Sequence, residues 1–228
     1  MIQRPEKADS AENFKPDYQL ETEYGYAGAV IGVDEAGRGP WAGPVTASAF
    51  WINPSHLDSL PASLTDSKKL SAKKRADIRA ALIHADYGHV FATSQSEAEQ
   101  IDRIGLLPAT FAAMKQAVET VIAELARRSI PVSHIIVDGN LLPSWHWPSS
   151  AIIKGDSKSL SIAAASVLAK TDRDHYMAEL AQTYPAYGWD KNAGYGTRAH
   201  REALAIHGVT PYHRTSFAPI RALLEGAD

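Results

Sequence analysis

The sequence predicts an α/β fold with one sheet of mixed strand direction. Five short β-rich or apolar runs are interrupted by two long helical stretches, in the order three strands, helix, two strands, helix. That order, without internal repeats, suits a single sheet with helices packed on it. With 228 residues and 45% apolar composition, the chain can bury a substantial core as one large domain or one domain with an appended subdomain.

Residues 1–24 come first and are expected to form an acidic, disordered tail. They hold six acidic and three basic residues, two prolines and few large apolar side chains. The rest of the chain carries no net charge, so the total charge of −3 lies in this segment. It does not exclude a nucleic-acid binder, because acids clustered in a site leave basic surface elsewhere.

The five predicted strands follow from composition and from the turns between them. Residues 28–34 (GAVIGVD) and 45–52 (VTASAFWI) flank a Gly/Pro turn and predict a hairpin, and 88–94 (GHVFATS) predicts a third strand. The β-branched runs 134–139 (HIIVDG) and 150–156 (SAIIKGD) predict the fourth and fifth strands. Each of these two runs also ends in Gly and Asp.

The helices follow from periodicity. One long amphipathic helix is predicted between the third and fourth strands, because apolar residues recur there every three or four positions. Its stripe is Ile104, Leu107, Phe111, Met114, Val118, Val121 and Leu125. A second, alanine-rich helix is predicted from Ser159 to about Tyr184, and Ser71 can cap a short helix.

Composition excludes several classes of protein and site. No apolar run approaches the roughly 18 residues needed to cross a bilayer, and the N-terminus lacks the basic and apolar segments of a signal peptide. A soluble, cytoplasmic protein without membrane association is therefore expected, with a monomer as the default. The absence of cysteine excludes disulfides, thiol catalysis and cysteine-based zinc sites, so any metal must be held by oxygen or imidazole.

Four carboxylates stand at the ends of predicted strands. Asp34 and Glu35 close the first strand, Asp138 closes the fourth and Asp156 closes the fifth. In open α/β sheets the functional crevice lies beyond the strand ends, so these side chains are expected to converge. An isolated Asp beside Gly is usually only a turn residue, but four acids at three strand ends are harder to explain in that way.

Asp34 and Glu35 raise a geometric problem, because neighbouring residues of a strand point to opposite faces. They can serve one site only if the strand ends between them, and Gly37 and Gly39 permit such a bend. Packed acids also repel and raise each other's pKa unless a cation neutralises them. With no obvious permanent counter-charge, the cluster predicts a divalent metal, and ligation by carboxylates alone favours Mg²⁺ or Mn²⁺ over Zn²⁺.

Seven segments resemble the bacterial ribonuclease HII family, the type 2 ribonucleases H. They are VDEAGRGPWAGPV, DSKKLS, QIDRIGLLPAT, IIVDGN, KGDSKSLSIAAASVLAKTDRDHYM, AGYGT and HRTSF, in that order. The resemblance runs from about residue 28 to residue 220. Trp41 stands where the family usually has a smaller aliphatic residue, and KTDRDH replaces the more usual KVTRDR; both differences bear on packing.

The resemblance implies a ribonuclease H-like fold, with a five-stranded mixed sheet flanked by helices in a catalytic domain over residues 25–184. A C-terminal helical, substrate-binding extension would occupy residues 185–228. It implies hydrolysis of the RNA strand of RNA/DNA hybrids and nicking of duplex DNA on the 5′ side of embedded ribonucleotides. By motif, the catalytic and metal-binding acids of the family match Asp34, Glu35, Asp138 and Asp156.

The implied chemistry explains the acids. Two cations about 3.5–4 Å apart can activate a water and stabilise the leaving oxygen of a phosphodiester, and a carboxylate cluster can hold such a pair. A ribonuclease that uses the 2′-hydroxyl as nucleophile would instead need a histidine acid/base pair. No histidine lies in DEAGRGP (34–40), which carries Asp34 and Glu35, or in GDSKSLSIAAAS (155–166), which carries Asp156. The expected products are a 3′-hydroxyl and a 5′-phosphate.

The resemblance also assigns substrate contacts. Gly37, Arg38, Gly39 and Tyr195 match the residues that read the junction of ribose and deoxyribose, where the 2′-hydroxyl distinguishes RNA from DNA. Without the resemblance, Tyr195 would more often be a partly buried aromatic.

Basic residues are expected to meet the nucleic-acid backbone at two places. Lys68 and Lys69, in the DSKKLS motif, are expected to meet phosphates, whereas Lys73, Lys74 and Arg75 are better explained as a solvated helix face. The segment from Arg198 to Arg214 suggests a second phosphate-contacting face, made of Arg198, Arg201, Arg214 and the three histidines among them.

Two other functions remain open on the residues alone. A non-catalytic nucleic-acid binding module would not need four acids that repel its ligand. A metal-dependent phosphatase acting on small phosphoesters would not need the GRG turn, the tyrosine or a second basic face.

Overall fold

A computed structural model of the chain describes residues 15–226 and confirms the mixed α/β sheet. The strands are β1 (Ala29–Ala36), β2 (Val45–Trp51), β3 (Val90–Ser96), β4 (Val132–Asp138) and β5 (Ser149–Ile152). They lie in the order β3-β2-β1-β4-β5. β1 pairs antiparallel with β2 in the predicted hairpin and parallel with β4, β2 is antiparallel to β3, and β4 is parallel to β5.

Helices cover both faces of this sheet. They are α1 (Gln19–Tyr24), α2 (Ala72–Leu82), α3 (Ala98–Ile104), α4 (Leu106–Arg127), α5 (Leu160–Thr183), α6 (Trp189–Asn192), α7 (Arg198–His207) and α8 (Ala218–Glu225). One face packs on α4 through Val118, Val121 and Leu125, and the other packs on α5 and α2. Ser71 caps α2, as predicted, by accepting a hydrogen bond from the backbone N–H of Lys74.

The predicted long helix is two helices. Gly105 ends α3 and precedes α4 with φ of +88°, a conformation that residues with a Cβ rarely adopt. The first two positions of the apolar stripe, Ile104 and Leu107, are exposed. The stripe is buried from Met114 to Leu125, where α4 lies on the sheet.

The fifth strand is shorter than predicted. β5 ends at Ile152, Lys154 takes a left-handed conformation with φ of +56°, and residues 155–157 form a 3₁₀ turn. Asp156 therefore lies in this turn and not at the end of a strand.

The first strand also differs from the prediction. β1 does not end between Asp34 and Glu35 but continues to Ala36, because β2 offers pairing partners up to Thr46. Gly37, with φ of +91°, comes only after the strand. The expected bend between the two acids is therefore wrong.

Gly32 sets the distance between α5 and the sheet. A methyl group at this position of β1 would overlap the backbone of Ser161 and Ile162 in the first turn of α5. The run Ser161–Ala169 of α5 is buried without interruption, and its members are mostly small. Because no side chain separates the two backbones here, α5 begins directly on the centre of β1.

The structure differs from the sequence prediction at the start of the chain. The predicted disordered tail spans residues 1–24, of which residues 1–14 lie outside the described part, but residues 19–24 form α1. The carboxylate of Glu21 is buried and accepts hydrogen bonds from the hydroxyls of Ser159 (2.5 Å) and Ser161 (2.6 Å) and from the Ser161 backbone N–H (2.8 Å). An acid at the N-terminus of α5 is favourable because it satisfies free N–H groups and complements the helix dipole.

Beyond α5, residues 185–226 pack on the end of that helix. Trp189 is fully buried at the centre of this cluster, together with Met177, Leu204 and Ile220. Residues 41–43 join the cluster through backbone hydrogen bonds from Trp41 N to the Gly194 carbonyl and from Gly43 N to the Tyr212 carbonyl, both 2.8 Å. The turn after β1 is therefore connected to the last part of the chain.

Replacement of Glu21 should reveal its role at the start of α5. We expect Glu21→Ala to lower the free energy of unfolding by about 3 kcal/mol, because three donors lose a charged acceptor inside the protein. Urea denaturation followed by circular dichroism measures the change. Glu23→Ala, on the exposed side of the same helix, is the matched control. Equal effects of the two substitutions would contradict the role given to Glu21.

Candidate active site

Three aspartates converge at one edge of the sheet. Asp34 lies near the end of β1, Asp138 is the last residue of β4, and Asp156 lies in the turn after β5. β1 and β4 are parallel neighbours, so their carboxyl ends meet at the same edge. One carboxylate oxygen of each aspartate lies within 4.8 Å of those of the other two.

Backbone hydrogen bonds hold these carboxylates in place. Asp138 Oδ1 accepts from the Gly155 N–H at 2.7 Å, which fixes the turn that carries Asp156. A side chain on Gly155 would crowd Asp138 Oδ1 and Ile162 Cδ1. Asp34 Oδ1 accepts from the Glu35 N–H at 2.6 Å. The sheet therefore supplies Asp34 and Asp138, and Asp138 holds the turn that carries Asp156.

Burial and mutual repulsion disfavour the ionised forms of these acids. Asp34 is 4% exposed, and its pKa is raised well above the ordinary value, first by burial and then by the charges of Glu35 and Asp138. The pKa of Asp156 is raised to about 6 by burial and by Asp66 and Asp138. Buried, repelling oxygen ligands are the kind of site in which a hard divalent cation is stabilised.

Glu35 lies beside this group and outside it. Its carboxylate is not among the three that meet within 4.8 Å. Its Oε1 instead pairs with Arg38 Nη1 at 3.3 Å. Burial raises the pKa of Glu35 although the Arg38 guanidinium lowers it. The charges of Asp138 and Lys68 also act on Glu35, so it borders the cluster.

Lys68 provides a counter-charge that the sequence analysis did not anticipate. It lies in the 3₁₀ turn Ser67–Lys69, and its pKa is raised although burial alone would lower it. The carboxylates responsible are Asp34, Asp66, Asp156 and Asp138, in decreasing order of effect. The assumption that the acids lack a permanent counter-charge is therefore wrong. Lys69 is exposed, as a phosphate contact must be.

Asp66 is an acid of this site that the sequence analysis missed. Its Oδ1 accepts from the Lys68 backbone N–H at 2.9 Å, and its charge raises the pKa of Asp156. Asp66 is the first residue of the DSKKLS motif, two positions before Lys68. It follows no predicted strand, so the rule that functional acids lie at strand ends does not select it.

The turn after β1 meets Tyr195. A Cβ on Gly39 would lie 3.4 Å from Tyr195 Cε1, and the tyrosine side chain is 48% exposed. At Gly37 a side chain would overlap the guanidinium group of Arg173. The structure therefore brings together two parts of the chain that the resemblance assigns to ribose recognition, and Gly37 excludes larger residues.

Two predictions about the basic residues need correction. Arg75 does not belong to a solvated face: its side chain is 13% exposed and pairs with Asp174 at 3.1 Å, whereas Lys73 and Lys74 are exposed as predicted. In the suggested second phosphate-contacting face, Arg214 is fully buried and cannot reach a phosphate.

The histidines of that segment also fall into two classes, buried and exposed. His200 and His213 are buried, whereas His207 is exposed. His213 Nδ1 accepts from the Thr210 N–H, so its Nε2 carries the proton and donates to His200 Nε2 at 3.1 Å. His200 Nδ1 then donates to the carbonyl of Tyr195 at 3.0 Å. Burial lowers the pKa of His213 to about 4, so this network is neutral and supports Tyr195.

What remains of that face is small. Arg198 is exposed and pairs with Glu202 at 2.7 Å, and the Arg201 guanidinium lies 5.4 Å from the centre of the Trp41 ring.

Within residues 15–226, none of the helices is both long and apolar enough to cross a membrane.

Comparison with known sequences gives a consistent result. The family model described as Ribonuclease HII matches residues 31–220. Ribonuclease HII of Rhodospirillum rubrum is 50% identical over 210 residues, which cover 92% of this chain and 92% of that protein. Ribonuclease HII of Zymomonas mobilis is 47% identical over 203 residues, covering 88% and 89%.

Solved structures share the fold at lower identity. Ribonuclease H2 from Pyrococcus horikoshii superposes with a TM-score of 0.65 at 24% identity, covering 87% of this chain and 98% of that one. Bst-RNase HIII in complex with Mn²⁺ gives a TM-score of 0.71 at 18% identity, covering 91% and 72%. RNase HII in the PCNA:RNase HII complex from Archaeoglobus fulgidus gives 0.63 at 22%, covering 83% and 95%.

Replacement of Asp34 should separate charge repulsion from metal binding. Its raised pKa means that its contribution to stability is present at low pH and is lost as the pH rises from about 4 through the raised value. At pH 8 in EDTA, we therefore expect Asp34→Asn to unfold at a higher temperature than the wild type. Mn²⁺ at about 100 times its Kd should stabilise the wild type by about 2.7 kcal/mol, and the variant by clearly less.

Thermal unfolding with and without Mn²⁺ measures both effects. Asp86→Asn is the control, because that side chain is 84% exposed and lies outside the cluster. A variant at Asp34 that gains as much stability from Mn²⁺ as the wild type would remove Asp34 from the metal ligands.

Proposed function

The chain belongs to the ribonuclease HII family and is a ribonuclease H, and we propose that it nicks duplex DNA on the 5′ side of embedded ribonucleotides as well as hydrolysing the RNA of RNA/DNA hybrids. The observation that carries this proposal is the juxtaposition of two features. A buried aspartate cluster lies at the end of β1, and the glycine turn that follows the same strand meets Tyr195. Asp34, in the proposed hydrolytic centre, and the glycine turn that would read the ribose are thus a few residues apart in the chain.

The residues of the cluster fit a divalent metal. They offer hard oxygen ligands, burial raises their pKa values, and they lie close enough to share an ion. Asp34, Asp138 and Asp156 would hold Mg²⁺ or Mn²⁺, with Glu35 at the border of the site completing the ligands for a second ion. When bound, such ions would supply activation of the attacking water and stabilisation of the leaving oxygen.

The protein's own groups orient the substrate. In this proposal the backbone at Gly37 and Gly39 approaches the ribose; Gly37 has no room for a side chain, and the absence of one at Gly39 leaves the turn open beside Tyr195. The exposed Tyr195 side chain reads the sugar at the junction through its hydroxyl, and Arg38 lies beside Glu35 at the border of the cluster. Lys68 and Lys69 meet the phosphates next to the cleaved bond.

The same arrangement favours products with a 3′-hydroxyl and a 5′-phosphate. Attack by the ribose 2′-hydroxyl needs a base close to that hydroxyl, usually a histidine. His200, which donates from Nδ1 to the Tyr195 carbonyl, and His213, which contacts His200, are both buried and therefore do not reach a bound ribose. Water is then the nucleophile. We further propose that the protein acts as a monomer in the cytoplasm.

Two other functions make different predictions for one assay. Labelled duplex DNA with a single ribonucleotide is incubated with Mg²⁺, Mn²⁺ or EDTA. A binding module without catalysis would retain the duplex and leave it intact under all three conditions. A phosphatase for small phosphoesters would be indifferent to the duplex and to the ribonucleotide. The proposed nuclease nicks the strand once, at the ribonucleotide, with a metal only.

Loss of one central carboxylate should abolish this nicking. We expect Asp138→Asn to lower the rate by more than about 100-fold, because it removes the charge of a metal ligand while the amide Oδ1 can still accept from the Gly155 N–H. Circular dichroism checks that the variant is folded, and Asp86→Asn should keep the wild-type rate. Near wild-type activity of Asp138→Asn with Mg²⁺ would exclude that residue from the active site.

The tyrosine should affect rate more than binding. Tyr195→Phe removes a hydroxyl worth about one hydrogen bond, so we expect a rate about 10-fold lower on a single embedded ribonucleotide. Duplex affinity should change by less than about twofold, because most of it comes from phosphate contacts. Both quantities are measured at one salt concentration, with Tyr26→Phe as control, since Tyr26 is 90% exposed. An unchanged rate for Tyr195→Phe would refute its role.

A further inference from the structure

Two buried arginines hold the glycine turn from the inside. Arg214 and Arg173 are 0% and 1% exposed, and both direct their guanidinium groups at backbone carbonyls around residues 37–44. We propose that Arg214, assisted by Arg173, is a positioning residue for ribose recognition: it fixes the turn at residues 37–39 in the shape that reads the 2′-hydroxyl. This inference rests on the proposed function and adds the residue that gives the turn its shape.

Arg214 contacts the turn directly. Its Nη2 donates to the Gly37 carbonyl at 2.6 Å and its Nη1 to the Arg38 carbonyl at 3.0 Å. Its Nε donates to the Gly43 carbonyl at 2.9 Å. One planar group therefore fixes two carbonyls within the turn and one carbonyl four residues beyond it. Since each carbonyl is part of a peptide unit, fixing it also sets the direction of the following N–H group.

Arg173 connects the same turn to the segment that carries Tyr195. Its Nε donates to the Pro44 carbonyl at 2.9 Å and its Nη2 to the Ala42 carbonyl at 3.1 Å. Its Nη1 donates to the Ala193 carbonyl at 2.9 Å, two residues before Tyr195. Gly37 packs on this guanidinium so closely that no side chain fits between them. Arg173 thus supports both the segment that follows the turn and the segment that carries Tyr195.

The chemistry of this pair favours a geometric role over a stabilising one. Burial lowers the pKa of Arg214 to about 9 and that of Arg173 to about 10, so both remain charged at neutral pH. Burying a charge is costly even when hydrogen bonds satisfy its donors, and here the described partners are carbonyls without a full charge. A lysine could not replace Arg214, because a single nitrogen cannot reach three carbonyls that match a planar fork.

A surface contact anchors the segment that carries Arg214. The carboxylate of Asp102, in α3, accepts hydrogen bonds from the backbone N–H and the hydroxyl of Thr215, both at 2.7 Å. It also accepts from the backbone N–H and the hydroxyl of Ser216, at 2.9 and 2.6 Å. These four bonds fix the two residues that follow Arg214. Asp102 is only partly buried, and its charge also favours the ionised form of the buried Arg214, so its replacement weakens both the anchoring and the electrostatic support of Arg214.

The test is Arg214→Lys, alone and combined with Tyr195→Phe, on duplex DNA with one ribonucleotide. We expect kcat/KM to fall about 10- to 100-fold for Arg214→Lys, the loss typical of a misplaced substrate, with duplex binding in EDTA changed by less than about twofold. The double variant should lose clearly less than the product of the two single losses, because both changes disrupt the same recognition. A merely structural role for Arg214 predicts that the losses multiply.

A second readout does not depend on the tyrosine. In a duplex with four consecutive ribonucleotides, a loosened turn should spread the cuts over neighbouring phosphates, whereas a less stable enzyme with an intact turn keeps the wild-type pattern. Leu125→Ala is the control for stability, because Leu125 is buried at the end of α4 that leads into the start of β4, opposite the active site. It should lower the melting temperature and leave the cutting pattern unchanged.

Asp102→Ala decides the matter if Arg214→Lys does not fold. It releases the segment around Arg214 and should produce the same spreading of cuts, to a smaller degree. Wild-type pattern and wild-type rate in a folded Arg214→Lys, or in Asp102→Ala if the lysine variant is unfolded, would overturn the inference and leave the proposed function intact. A wild-type protein that cuts ribose and deoxyribose equally would overturn both.

Discussion

The direct packing of α5 on β1 at Gly32 is the contact on which the rest of the molecule depends. It is made between backbones, with no side chain between them, so it sets the separation of helix and sheet tightly. The turn at residues 155–157 enters α5 at this point, which brings Asp156 to the end of β1. Further along the same helix, Arg173 reaches the turn after β1. One helix therefore aligns both the acids and the glycine turn.

The acids are held together against their own repulsion. Asp34 and Asp156 are buried where their ionised forms are unfavourable, and the surrounding sheet and turn do not let them separate. Lys68 offsets part of this charge from the rim of the site. A preformed ligand cluster costs folding stability but loses little entropy when a cation arrives, and this exchange is common where function requires a fixed geometry.

Local sequence was enough to predict most of the sheet and the acids at its edge. Strand runs and the order of elements follow from composition, and the rule that sites lie beyond strand ends gathers Asp34, Asp138 and Asp156. The break at Gly105 and the early end of β5 depend on single positive φ angles, which apolar periodicity does not reveal. The burial of Arg214 could not be predicted from the sequence. Its partners are backbone carbonyls of residues far away in the chain, and the residues next to Arg214 in the sequence do not indicate them.

The bond between Arg214 and Gly37 joins residues that are 177 positions apart, which has a consequence for biosynthesis. The hairpin of β1 and β2 can form as soon as it leaves the ribosome, since its contacts are local. The carbonyls of the glycine turn, however, find their partner only after nearly the whole chain has emerged. A nascent chain can thus hold part of the acid cluster before the turn that we propose reads the ribose has taken its shape, and in that proposal selectivity for the sugar is acquired last.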